Sequence, residues 1–276
     1  MLKTQLSKVF TWNTFTFVPI LFVTILFSPI QNATPADSSP KEVRVVNLKA
    51  TFDAPKVTLN KRQLQFAKSY IRKNSEDLVL IKKRSKLPFT IMDSVFSRYG
   101  LPVELKYLAV IESELKSSAR SRVGAMGPWQ LMAETAHDWG LKITHRNDER
   151  TSFGKSTAAA AKYLKYLYSQ FDDWLLVLAA YNSGAGRVCS AIRKSGSRNF
   201  WALQHYLPLE TRLHVRRFIA THYYFEKQGG TTTLTKAENV EYKKTVNAYA
   251  AFRLATSSPN NDKIASLTGN PYLNVE

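Results

Sequence analysis

The sequence predicts a mainly α protein on three observations. Apolar residues recur at helical spacing between Asn60 and Glu226, no convincing period-two alternation is found, and Gly, Pro and Asn punctuation cuts the chain into helix-length pieces. No fixed-length repeat is found. With 276 residues, 44% of them hydrophobic, the chain is long enough to bury one sizeable core.

The first apolar run is not part of that core. Lys3 and Lys8 precede Phe15 to Phe27, and the polar stretch Gln31 to Lys41 follows, which is the outline of an export signal. Ala33 is a candidate cleavage point. The run is short for a membrane span and contains Pro19, but counted outward to Ile30 it also fits an uncleaved anchor, so residues 1–33 are expected to be a signal peptide or N-terminal anchor. The expected location is therefore outside the cytoplasm, in the periplasm or cell envelope, with membrane association through the N-terminus as one form of it. Residues 34–57, rich in Pro, Ser, Lys and Ala, read as a flexible linker.

Residues 58–99 carry Leu64, Phe66, Ile71, Leu78, Leu80 and Ile81 at helical spacing and are expected to form an N-terminal helical subdomain. Lys82, Lys83 and Arg84 read as a solvated face. Gly100 and Pro102 punctuate the start of the next helix, where a proline costs no hydrogen bond. Ser117 to Pro128 reads as a loop, Trp129 to Trp139 as a short helix closed by Gly140, and Ser156 to Tyr168 as an alanine-rich helix. Trp174 to Tyr181 is an apolar helix stopped by Asn182, Ser183, Gly184 and Gly186. Arg187 to Lys194 restarts a helix, and Glu210 to Glu226 forms a long one. Residues 229–276 turn polar and small, a C-terminal extension with weak helical spacing from Lys236 to Leu254.

One residue violates the pattern. On a wheel begun at Leu101, Glu112 falls among Leu101, Leu105, Leu108, Ala109 and Leu115, on the face that packing should bury. Desolvation there favours the protonated carboxyl, as a general acid needs. The competing reading is a carboxylate satisfied by an Arg or a backbone amide. Glu114 points about 200° away and faces elsewhere.

Composition narrows the function classes. Thirty-nine Lys and Arg against 21 Asp and Glu leave +18, which suits nucleic acid, anionic lipid or a cell-wall polymer, or simply a soluble basic surface. The basic residues are spread along the chain instead of forming a dense arm, and the export signal argues against nucleic acid. No metal site and no cofactor is expected: the histidines at 137, 145, 205, 214 and 222 show no ligand spacing, Cys189 is alone, and Gly184 and Gly186 do not follow a strand. A lone cysteine also means no intramolecular disulfide.

Three short motifs remain: Glu112 with Ser113, the Gly127-Pro128-Trp129-Gln130 tetrapeptide, and Ala180-Tyr181-Asn182-Ser183-Gly184-Ala185-Gly186. In this order, and with Asp173-Trp174-Leu175-Leu176 and Leu207-Pro208-Leu209-Glu210-Thr211, they resemble the active-site set of the lytic transglycosylases of the goose-type lysozyme superfamily. The likeness is strongest to the membrane-bound lytic murein transglycosylase D group and extends from about Leu101 to Ala220.

The resemblance implies a lysozyme-like catalytic domain, here residues 100–228, that cleaves the MurNAc-β-1,4-GlcNAc bond of peptidoglycan glycan strands without water, leaving 1,6-anhydromuramoyl ends. It makes Glu112 the sole catalytic acid and then base, and gives Ser113, Trp129, Gln130, Tyr181 and Asn182 to substrate binding and positioning. His214 stands where relatives carry a tyrosine, and is placed with the substrate-binding set. An internal hydroxyl as nucleophile removes the need for the second carboxylate of a hydrolase. Spacing leaves Asp148, Glu149, Asp172 and Asp173 open as such a partner, so a goose-type lysozyme remains an alternative, as does a non-catalytic peptidoglycan-binding protein. Oligomeric state is not legible.

Overall fold

The structure, a computed structural model, describes residues 54–257. The expected signal or anchor at 1–33 and all but the last four residues of the expected linker lie outside them, as does the end of the C-terminal extension. The described residues are helical, with isolated bridges in place of strands, so the protein is mainly α.

Three helices come first: α1 (Lys61–Lys73), α2 (Ser75–Arg84) and α3 (Lys86–Tyr99). A capping box opens α1, in which the Asn60 side chain accepts from the Gln63 amide and the Gln63 side chain accepts from that of Asn60. Gly100, at a φ of +67°, closes α3 in the left-handed turn that glycine adopts without a Cβ penalty. After a 3-10 turn at Val103–Leu105 comes α4 (Lys106–Ser113). Two non-glycine residues end it, Glu114 and Leu115, with φ of 54° and 62°. Each left-handed residue costs about 1–2 kcal/mol. Arg84 offsets part of this by donating Nε and Nη2 to the Glu114 carbonyl at 3.0 and 2.7 Å, which also satisfies the helix's carbonyl end.

Beyond a long loop lie α5 (Ala133–Asp138), α6 (Phe153–Phe171), α7 (Trp174–Ser183), α8 (Ala185–Ser195), the short α9 (Phe200–Leu203), α10 (Leu209–Glu226) and α11 (Lys236–Ser257). The expected helix from Trp129 to Trp139 is shorter than its apolar residues suggest. Trp129 to Met132 are irregular because Gln130 takes a left-handed φ of 47°.

α7 is the centre of the fold. Trp174 to Ala180 are all buried, so the helix is apolar all round and packs against α6, α8 and α10. Asp173 starts it, its Oδ1 accepting from the Leu175 and Leu176 amides. The other oxygen accepts from the Lys236 amide, tying the start of α11 to the core. Burial raises the Asp173 carboxyl above its ordinary value, against those three hydrogen bonds.

α10 runs against α1, α4 and α7, and so joins the first helices to the core. The Tyr107 hydroxyl of α4 donates to the Glu226 carboxylate, and its ring stacks on Phe225 at 5.0 Å. Residues 54–57, read as part of the linker, are held in place. Val57 is buried, and its carbonyl accepts from the Gly229 amide at 2.8 Å.

Candidate active site

Glu112 sits in the last turn of α4, facing α10. Its side chain is 16% exposed, and Oε1 lies 2.8 Å from Nε2 of His214, whose side chain is 6% exposed. The fully buried carboxylate that the wheel suggested is therefore a half-buried one held by an imidazole. Nδ1 of His214 is buried without a partner. The tautomer that wastes no donor carries its proton on Nε2 and gives it to Oε1, the oxygen that faces α10.

Ser113 is buried beside it. Its hydroxyl lies 2.8 Å from the Pro128 carbonyl and 3.0 Å from that of Ala109, so it ties α4 to the loop.

The loop from Ser117 to Met132 is shaped by Arg150. That guanidinium is buried, pairs with Asp148 and donates to the carbonyls of Gly124 and Leu131, both at 3.0 Å. Asp148 is held below its usual value by hydrogen bonds from Arg150. Gly127 passes so close that a Cβ there would lie 1.9 Å from the Arg150 carbonyl oxygen, at a φ of +82°. Only glycine fits.

Trp129 is wholly buried, its Nε1 donating to Thr157 at 3.0 Å and its ring edge-on to Phe96. Its ring is a core anchor. What the residue contributes is its backbone, since the Tyr181 hydroxyl donates to the Trp129 carbonyl at 2.7 Å. Gln130 spends its amide on the carbonyls of Ala119 and Gly127, at 3.1 and 2.9 Å, so only Oε1 is left for a ligand.

Tyr181 and Asn182 come from the end of α7. The Tyr181 phenol is pushed well above its ordinary value, first by burial and then by the Glu112 charge nearby, so it remains a hydrogen-bond donor at all working pH values. Asn182 Oδ1 accepts from Thr211 on α10 at 2.9 Å, which fixes the amide and leaves Nδ2 as the donor on offer.

The structure thus gathers Glu112, His214, Tyr181 and the loop, with Asn182 locked to α10. Thr211 appeared in the sequence as part of a motif without a role. Also unassigned there is a row of rings from Tyr181 to Tyr163 at 5.5 Å, Tyr163 to Trp139 at 5.7 Å and Trp139 to the exposed Tyr166 at 5.5 Å. The three-residue spacing of Tyr163 and Tyr166 on one helix is the signal that marks them.

The four acids left open by spacing are occupied. Asp148 pairs with Arg150, Glu149 with Lys155, and Asp172 with Lys236, while Asp173 caps α7.

Residues 97–204 match the family described as Transglycosylase SLT domain. This segment is similar to that family. Around it the chain is 40% identical over 126 residues to membrane-bound lytic murein transglycosylase D of Escherichia coli strain K12, covering 44% of this chain and 27% of that protein. It is 37% identical over 86 residues to the peptidoglycan transglycosylase gp16 of Escherichia phage T7, covering 30% of this chain and 6% of that one. The 70 kDa soluble lytic transglycosylase SLT70 of Escherichia coli superposes with a TM-score of 0.47 at 26% identity, covering 64% of this chain and 32% of its own. The chain spans about a quarter of the length of the murein transglycosylase D. The matched segment takes in Glu112, the loop, Tyr181 and Asn182 and stops before His214 and Thr211, which α10 supplies from outside it. Among the described residues no group of His, Cys, Asp and Glu is arranged to hold a metal, and no helix is long and apolar enough to cross a membrane.

Proposed function

We propose that the chain is a peptidoglycan lytic transglycosylase working outside the cytoplasm, with Glu112 as acid and then base. Its protonated Oε2 gives its proton to the glycosidic oxygen as the C1–O bond of the muramoyl residue breaks. The C6 hydroxyl oxygen of that sugar then bonds to C1, and its proton passes to the Glu112 carboxylate. The acid is regenerated, and the products are an anhydromuramoyl end and a free glucosaminyl hydroxyl. No water is consumed.

The single observation that carries this reading over a hydrolase is the fate of the other acids. Asp148, Glu149, Asp172 and Asp173 are each engaged by a cation or a helix start, so none is poised beside Glu112 to activate water. His214 acts as a positioning residue, because holding Oε1 aims Oε2 and lowers the orientational cost of proton transfer. Asn182 Nδ2 and Gln130 Oε1 complement N-acetyl and hydroxyl groups, and the rings from Tyr181 to Tyr166 offer faces to pyranose rings. The +18 charge draws the protein to a wall rich in peptide carboxylates.

Mass spectrometry of muropeptides released from sacculi tests the proposal. Anhydromuramoyl ends are expected; reducing ends would make the protein a hydrolase.

A further inference from the structure

A cavity of about 250 Å³ lies where α1, α9 and α10 meet. It is lined by Asn60, Arg62, Gln63 and Phe66 of the first helix start, Trp201, Gln204 and His205 after α8, and Arg216 and Ile219 of α10. On α10, Arg216 is about 200° round from His214, so the cavity opens on the face turned away from Glu112.

The lining has donors to spare and no free acceptor among its side-chain amides. Asn60 Oδ1 and Gln63 Oε1 are taken by the capping box, and Gln204 Oε1 accepts from Arg216 Nη2 at 2.9 Å. Left over among the described residues are Asn60 Nδ2, Gln63 Nε2, the exposed Arg62 guanidinium, and two buried groups with no partner, Trp201 Nε1 and Arg216 Nε. A buried donor left without an acceptor is destabilising, and a ligand with acceptors relieves it. No acid lines the cavity, and α1 has none in its first turn, so its positive end faces the cavity uncompensated. Phe66 and Ile219 supply an apolar wall that a bare inorganic anion would leave without contact.

We propose that this cavity binds the carboxylate of a short peptide, its charge on the guanidinium groups, its carbonyls on the amide and indole donors, and its side chain against Phe66 and Ile219. The site is independent of the chemistry at Glu112.

Full-length protein is titrated with N-acetyl-alanyl-alanine by calorimetry, with its carboxamide, acetate and inorganic phosphate as separate arms. The indole resonance of Trp201, assigned by its loss in Trp201→Phe, is followed by NMR. The free acid is expected to bind at least tenfold tighter than the other three probes, to move the Trp201 resonance, and to lose about tenfold in affinity in Arg62→Gln, an exposed change that spares the fold. Equal binding of acid and carboxamide, an equal response to acetate or phosphate, or an Arg62→Gln protein with unchanged affinity would each overturn the proposal.

Discussion

Acid should weaken this protein through one residue, His222. It is 1% exposed in α10, both of its ring nitrogens lack partners, and Tyr107 and Phe218 pack edge-on against it. Burial foremost, and the charge of Lys106 second, push the imidazole down from 6.5 to about 4. The unfolded chain takes a proton near 6.5, whereas the folded protein takes it only near 4, so in between the unfolded state holds more protons. Stability is then complete above pH 6.5 and falls as the pH drops. At about 1.36 kcal/mol per pH unit the gap caps the loss at roughly 3 kcal/mol, most of it gone by pH 4.5.

The carboxylates held below their usual values, Glu114, Asp148, Glu149 and Asp172, lose their contribution at lower pH and are common to wild type and variant. The assay is urea unfolding at pH 7.0, 5.5 and 4.5 for wild type and His222→Leu, which fills similar space without titrating. The wild type should lose roughly 2 to 3 kcal/mol more than the variant between the end points. Parallel losses in the two proteins would refute the reasoning.

Two further outcomes follow from the site. Gly127→Ala puts a Cβ 1.9 Å from the Arg150 carbonyl in a left-handed conformation, so it should cost at least about 2 kcal/mol in urea unfolding and lower activity with it, because the displaced loop carries the acceptors of Ser113 and Tyr181. A variant as stable as wild type would show the loop to be slack. His214→Ala should lower kcat by about tenfold or more with little change in KM, and His214→Tyr, which restores a donor at Oε1, should recover most of it. Equal kcat in all three proteins would leave His214 without a positioning role.

The mainly α class was legible because helical periodicity is local, and α6, α7 and α10 differ from the sequence reading by a few terminal residues. The failures share a cause. Trp129 to Met132 look helical by composition, yet their backbone is dictated by Arg150, some twenty residues on, whose buried guanidinium claims the Gly124 and Leu131 carbonyls. Trp129 and Ser113 were placed at the site by resemblance, and their burial against Thr157 and Pro128 is a tertiary fact that no residue type announces. Glu112 announced itself by interrupting an apolar stripe. Its partner did not, since His214 lies 102 residues away, and no wheel relates two helices. The short α9 and the pinning of Val57 by Gly229 were invisible for the same reason.

The most direct measurement compares muropeptides released from sacculi by wild type and by Glu112→Gln, with sacculus binding measured in parallel. The expected result is anhydromuramoyl products from wild type and none from the variant, which still binds. Undiminished release by Glu112→Gln would contradict a mechanism built on that carboxyl group.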